Sequence, residues 1–396
     1  MSLIIYKKQF SNAYQEVFQK TTISPTLMNT RFEPMLKFGA SVERSIIDIS
    51  GVLVRTVTRG VASTIDPIAD SSEFLTINLE KELVFYVSDG EITQTGPLNP
   101  GEEFGKQTAR KLAIDLDGRC FAEVLNASFT FDTGDLTTTT STGVPITLSS
   151  TTVPQMVARM GAKLRNRNNQ DIMTNMNIVV DSYAASDLTQ YLLGKNIDLA
   201  GGVFKNGYSG DVSNARLYVS ENLTGSVVGT TVGVFADGET ITINGVVFTA
   251  RTVIGAVAGT FLIGASATAS LVNLAALINA PSVTNANQVA LSAADQTTVT
   301  QTLKLAATSG ASTITVNGTG SGRLTVAETG ANYSQVSYIN AYFGKTGAID
   351  LVVQNLAEVD MRITPDRRGT NVFSSYLAGI KTFADGKKKF LNVLLA

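Results

Sequence analysis

"GPLNPGEEFGKQTARKLAIDLDGRCFAEVLNA", residues 96–127, is the stretch on which the reading of the fold turns. After Pro100, the apolar residues Phe104, Leu112, Leu116, Cys120 and Val124 recur at near-helical spacing, with Lys, Arg, Asp and Glu elsewhere. Glu102 and Glu103 stand near the start, where the helix dipole favours negative charge. The spacing predicts one helix over residues 101–127, about 40 Å long at ~1.5 Å per residue. No other element in the sequence is expected to be as long.

Upstream, "SIIDISGVLVRTV" (45–57) and "FLTINLEKELVFYV" (74–87) are rich in β-branched and aromatic residues. In the second, Leu75, Ile77 and Leu79 alternate with Thr76, Asn78 and Glu80. The polar tip "TRGVASTIDPIADSSE" lies between them, so the pattern predicts two long strands forming an extended hairpin arm. Downstream, a Thr-rich stretch leads to a second helix whose face is Val153, Met156, Val157, Met160 and Leu164. "MNIVVDS" reads as a buried strand, "SYAASDLTQYLLG" as a short helix and "ARLYVSENL" as a strand. "YSQVSYINAYF", "AIDLVVQNL" and "FLNVLL" add further strand-like runs to what is a mixed α/β body.

That body is interrupted. Gly225 to Gly330 is a run of 106 residues with seven charges, Asp237, Glu239, Arg251, Asp295, Lys304, Arg323 and Glu328, out of 64 in the whole chain. Such a break in composition marks a domain boundary on each side. "ETITINGVVFTA" (239–250) reads as a hairpin turning at Asn244-Gly245, the dipeptide that best accepts two positive φ angles. Ser266 caps a predicted helix carrying Leu271, Leu274, Leu277 and Ile278, which stops before Pro281. Strands are expected at "QVALSAA", "QTLKLAAT", "STITVNGT" and "RLTVAE", giving a small β-rich unit with one helix.

Composition narrows the chemistry. With 396 residues, 44% hydrophobic and 16% charged, the chain is globular and has material for two or three domains. No apolar stretch is long enough to span a bilayer. "MSLIIYKKQF" puts its apolar patch before its lysines, the reverse of a signal peptide, so a cytoplasmic origin is expected. The net charge of −2 gives no general attraction to nucleic acid. Cys120 is the only cysteine, so no intrachain disulfide can form. Histidine is absent, which removes Ser-His and Cys-His nucleophiles and imidazole metal ligands. Carboxylate, Lys or Ser-Lys chemistry is all that an enzyme reading retains.

Candidate motifs fail in turn. "GKTG" (344–347) lacks the glycine a phosphate loop needs five positions before Gly344, where Ile339 stands. "IDLDGR" (114–119) lacks the further ligands of a calcium loop, and its two aspartates are expected on the solvated face of the helix. "GTGSGR" (318–323) lies between strand-like triplets and reads as a loop, not a dinucleotide turn. Cys120 reads as core. Arg367 and Arg368 in "PDRRG", and the lysines of "GKKKF", read as solvated or intersubunit groups. No catalytic, cofactor or metal residues are expected.

The order of parts resembles the major capsid proteins of tailed bacteriophages, which have the Hong Kong 97 capsid fold also seen in encapsulin shells. The expected fold class is α+β. By that resemblance residues 1–44 are the N-terminal arm, 45–97 the E-loop hairpin and P-domain strands, and 98–150 the spine helix and P-domain. Residues 151–224 are the first part of the A-domain, 225–330 a β-rich insertion domain, and 331–396 the A-domain remainder with a returning P-domain strand. "GDVSNARLYVSENL", "YINAYFGKTGAIDLVVQNLAEVDMRI" and "RRGTNVFSSYLAGIKTF" are similar in texture to the family. The low-charge segment resembles a small module that recurs in phage structural proteins.

The resemblance implies a coat protein assembling with copies of itself into pentamers and hexamers around double-stranded DNA contacted non-specifically, in a virion built in the host cytoplasm. It implies a portal, a separate scaffolding protein and a decoration protein on the outer face as partners, with no membrane and no cofactor. Arg55, Arg59, Asp66, Asp70 and Glu73 near the hairpin tip, with Arg367 and Arg368, are the expected intersubunit contacts. Repetition by symmetry multiplies exposed ion pairs that are individually worth under about 1 kcal/mol. No fused scaffolding segment is expected ahead of the arm. A tail-fibre or adhesin protein and an encapsulin-like cargo shell are the alternatives.

Overall fold

The computed structural model describes residues 22–34, 36, 39–48, 52–57, 59–60, 62, 65–88, 100–138, 140–167, 175–195, 208–212, 215–363 and 368–396. A single helical turn, α1 (Ser24–Leu27), precedes the hairpin of β1 (Ser41–Asp48) and β2 (Ala69–Thr76), which pair antiparallel from Ser41 opposite Thr76 to Asp48 opposite Ala69. β3 (Leu79–Ser88) follows, and then α2, the long helix, at Pro100–Ala122, which tightens into a 3-10 turn over Glu123–Asn126. Next come β4 (Thr130–Phe131), α3 (Thr133–Thr137), α4 (Thr152–Arg167), β5 (Met176–Val180), α5 (Ser182–Lys195), β6 (Tyr208–Val212) and β7 (Ala215–Val219). The low-charge segment contributes β8 (Thr224–Thr231), β9 (Thr240–Ile243), β10 (Val246–Arg251), β11 (Thr260–Leu262), α6 (Ala267–Asn279), α7 (Ala293–Thr297), β12 (Leu305–Ser309), β13 (Thr313–Gly318) and β14 (Val326–Glu328). β15 (Tyr333–Lys345), β16 (Asp350–Ile363), β17 (Gly369–Lys381) and β18 (Phe390–Leu395) complete the chain.

Two compact units result. One is built from Met28–Leu112 and Ile349–Lys387. It holds the β1–β2 hairpin and a three-stranded antiparallel sheet in the order β16-β17-β3, with two irregularities of register along β16. Phe32, Leu36, Leu75, Val352 and Phe383 form its described core. The strand expected over 74–87 is in fact two: Ile77 N–H bonds the Ala40 carbonyl at the hairpin base, and the chain leaves for β17 as β3. A period-two alternation is the same in either sheet, so it cannot register a change of partner.

The other unit is built from Thr21–Leu27, Ala113–Ala348 and Lys388–Ala396. Its sheet runs β12-β13-β8-β15-β5-β7-β6, with β18 on the other side of β15 and β4 beside β18. Two cores lie within it. The first joins Met156, Met160 and Leu164 of α4 to Ile178 and Val180 of β5, Phe343 of β15 and Val393 of β18. The predicted α4 face and the buried β5 run are both found there. The second core draws its buried members only from Val227 to Tyr333.

Inside that second core the hairpin turn and the capped helix are found as expected. Asn244 and Gly245 have φ of 47° and 81°, and Val246 pairs with Ile243 across the turn. The Ser266 side chain accepts from Ala269 N–H at 3.2 Å, and Leu271, Leu274, Leu277 and Ile278 are buried. "QVALSAA" is not a strand. Gln288 makes isolated bridges with Phe261 and Asn285 while its side chain donates to the carbonyls of Ala280 and Val283. Ser292 then caps a second helix, α7, which widens into a π turn over Thr298–Thr302. The cap at Ser292 outweighs the short apolar alternation before it.

Gly229 shows how tightly this core closes. A Cβ there would sit 1.7 Å from the Tyr333 phenol oxygen. Tyr333 in turn lies 5.5 Å from the Phe235 ring, which packs edge-on to Phe261. Gly229→Ala should therefore destabilise the segment by about 1–3 kcal/mol through overpacking. Amide hydrogen exchange over α6 is the measurement, and faster exchange is the expected result.

Candidate functional site

Among the described residues, the residual enzyme chemistries have a geometric candidate. Lys163 of α4 donates to Ser141 Oγ at 2.7 Å, a Ser-Lys pair by distance alone. The same ammonium donates to Asp135 Oδ2 at 2.6 Å and to the Thr130 carbonyl. Three acceptors occupy its three protons, and the Phe131 ring lies 5.8 Å away. Ser141 Oγ itself donates to the Thr130 carbonyl at 2.9 Å and to Asp135 Oδ2 at 3.1 Å, not to the lysine. Asp132 caps α3 from the same cluster, accepting from Gly134, Thr142 and Gly143. This is a buried brace.

"IDLDGR" departs from its expected solvated face. Asp117 is fully buried and accepts from Ile23 N–H at 3.0 Å and Ser24 N–H at 3.1 Å, while Ser24 Oγ donates to Oδ1. Asp115 is bonded to Arg119 at 2.9 Å and to Lys304. Asp117 lies on the buried side of α2, one turn from both Ala113 and Phe121, where residues 23–24 cover it. Asp115 lies about 200° round the helix, half-buried and paired with Lys304. Cys120 is buried as expected, and burial, with the Asp117 charge beside it, pushes its thiol pKa up. A thiol in that state is not a nucleophile. Among the described residues no group of acidic or sulfur side chains could hold a metal ion, and no helix is long and apolar enough to cross a membrane.

The expected contact residues of the hairpin fall into three groups. At the tip, Arg55 forks onto Asp66 at 2.7 and 2.8 Å, and Leu53 N–H donates to the same carboxylate at 2.9 Å. The guanidinium first, and the Leu53 amide second, hold the Asp66 pKa below its ordinary value. Arg59 is exposed beside Gly60, whose φ is 82°. Glu73 sits instead at the base, where it accepts from Ala384 N–H at 2.9 Å, near the Arg44–Asp385 ion pair at 2.7 Å. Asp70 pairs with Ile47 in the ladder, and its side chain lies outside the described residues. Arg368 is exposed and its carbonyl accepts from Tyr86 Oη, while Arg367 lies outside the described residues.

What sequence reading missed is the apolar character of the tip. Val54 and Ile65 are 105% and 92% exposed, and Val52, Leu53, Val57 and Ile68 are exposed with them. The signal is present in "GVLVRTV", but β-branched residues suit a strand and an exposed apolar tip alike.

No protein-family model matches the sequence, and no curated protein matches it. Solved structures do. A structure from Mycobacterium phage Che8 superposes with a TM-score of 0.50 at 15% identity, covering 93% of this chain and 90% of that one. The order of parts is the one expected, with a long hairpin, a long helix and a mixed sheet closed by a returning strand. This is the Hong Kong 97 capsid fold. Two further capsid structures match less closely. The capsid of Cyanophage P-SCSP1u gives a TM-score of 0.46 at 10% identity over 90% of this chain and 84% of that one. The mature capsid of bacteriophage PhiM1 gives 0.45 at 12% over 90% and 82%. At such identities the likeness is one of fold.

Within this fold Asp117 supplies a pH test. Burial raises its pKa above the ordinary 3.8, against the opposing bonds from Ser24 and Ile23. A carboxyl that titrates higher when folded favours the folded state once protonated. Its contribution is absent above the folded pKa and grows as pH falls toward the unfolded one. Asp117→Asn removes this titration. Wild type should gain stability relative to the variant as pH falls through the raised folded pKa toward the ordinary carboxylate value, read as the difference in unfolding midpoints at each pH.

Proposed function

We propose that this chain is the major capsid protein of a tailed double-stranded DNA phage and assembles into the pentamers and hexamers of an icosahedral shell. The observation that carries the reading is the hairpin tip, together with the capsid fold. A two-stranded arm is marginal in water unless a surface covers it. This arm presents Val54, Ile65 and four apolar neighbours to solvent. A second copy of the chain is the surface that would cover them, and the repetition of that contact around symmetry axes supplies the shell's stability. The Arg55–Asp66 fork pre-shapes the tip, and Arg59, Asp70 and Arg368 are rim groups for the same contact.

In this reading residues 1–44 are the arm, 45–97 the E-loop and strands, 98–150 the spine helix and P-domain, and 151–224 with 331–396 the A-domain. Residues 225–330 are an inserted domain, supported by their separate core and hairpin. We assign it to the outer face, because three cations in 106 residues make a poor partner for packaged DNA phosphates.

Electron microscopy of the purified full chain tests the proposal, with closed shells expected. Fibres would favour a tail or adhesin role, and a stable monomer under all assembly conditions would end the capsid reading. Replacing Val54 and Ile65 with Asp should abolish shells while leaving the circular dichroism of the subunit unchanged. No lysine lies between Lys37 and Lys81, so denaturing gels of mature particles should show a single monomer band with no covalent ladder through the hairpin.

A further inference from the structure

The low-charge segment contains three cations, and two of them reach out of it. Arg251 pairs with Asp237 inside the segment. Lys304 instead pairs with Asp115 on α2, and Arg323 Nε donates to Asp181 Oδ2 at 3.1 Å. Asp181 is 1% exposed, and its other oxygen accepts from Ala184 N–H in the first turn of α5. Lys304 is held at a φ of 49°, a left-handed conformation uncommon outside glycine.

Between these two ion pairs lies the loop "GTGSGR", which carries no phosphate chemistry. Gly320 and Gly322 have φ of 63° and 64°. A Cβ on Gly118, inside α2, would lie 2.7 Å from the Gly320 Cα, and one on Gly320 would lie 2.8 Å from the Gly118 Cα. Backbone meets backbone there, which leaves no room for a ligand. Gly322 N–H bonds the Leu223 carbonyl at 3.0 Å on the loop's other side. Glycine within a helix lowers stability relative to alanine, so Gly118 is explained by the contact and not by the helix.

We propose that Lys304 and the 318–323 loop form a latch by which the inserted segment clamps the second half of α2 to the start of α5. The segment therefore acts as a brace for the body that carries it, in addition to any outward-facing role. The inference rests on contacts within one chain and does not depend on shell formation. Ion pairs alone would be weak at such partly exposed sites. Their placement on either side of a glycine–glycine contact gives the latch its geometry.

Hydrogen exchange of the full chain, read by mass spectrometry, tests the latch. In the Lys304→Met, Arg323→Met double variant, amides of Leu116–Phe121 and Ala184–Leu188 should exchange about tenfold faster, while those of α6 stay unchanged. Gly118→Ala is the second arm. Helix propensity alone predicts slower exchange in α2, whereas the latch predicts faster exchange there and in Ala184–Leu188. Unchanged α2 and α5 amides in the double variant, or acceleration confined to the segment, would overturn the proposal. So would uniform acceleration that includes α6, or slower α2 exchange in Gly118→Ala.

Discussion

A line of polar side chains, buried at Ser226, Asn340 and Asn392 and half-buried at Asn317, crosses four adjacent strands and fixes their register. Ser226 Oγ of β8 donates to Asn317 Oδ1 of β13 at 2.6 Å and accepts from Asn340 Nδ2 of β15 at 2.6 Å. Asn340 Oδ1 in turn accepts from Asn392 Nδ2 of β18 at 2.9 Å. Each bond contributes only about 1 kcal/mol net, but a buried group left without its partner costs about 1–3 kcal/mol. A slip of one residue would break every link at once and turn the apolar set of β15 to the wrong face. That set serves both cores of the unit, since Tyr333 belongs to one while Ala341 and Phe343 belong to the other. The low-charge segment and the sheet that carries it are thus registered by one strand.

The same commitment of polar groups explains why candidate chemistry dissolves on inspection. Lys163 and Asp135 hold β4, α3 and α4 together, and Asp117 holds the α1 turn against the long helix. A catalytic group has to keep a lone pair or proton available for substrate. These groups give theirs to the backbone and to each other. The hairpin tip by contrast leaves apolar area in water, at Val52, Leu53, Val54, Val57, Ile65 and Ile68.

Local physics was legible in the sequence wherever a side chain acts on its own neighbourhood. Asn244-Gly245 meant two positive φ angles, Ser266 meant a cap, the α4 stripe meant one buried face, and the spacing after Pro100 meant the long helix. Composition marked the low-charge segment, because a segment with its own core has its own surface to populate. Absence of histidine removed whole classes of catalysis before any geometry was known. Partner choice was not legible. The run 74–87 alternates evenly although its two halves serve different sheets, and "QVALSAA" alternates without being a strand at all.

The sequence by itself determined the long helix, the α4 face, the hairpins, the two-part composition and, through the order of parts, the expected capsid fold. Only the tertiary structure decided what covers each face. Asp115 and Asp117 of α2 both read as solvated in the sequence. That Ile23 and Ser24 close over one, and Lys304 over the other, depends on segments about a hundred or more residues away. Gly118 and Gly320 are ordinary glycines in their own surroundings, and their meaning comes from a backbone contact between distant segments. Local propensity is set within a few residues, whereas burial is set by whatever the folded chain brings alongside, and no periodicity encodes that.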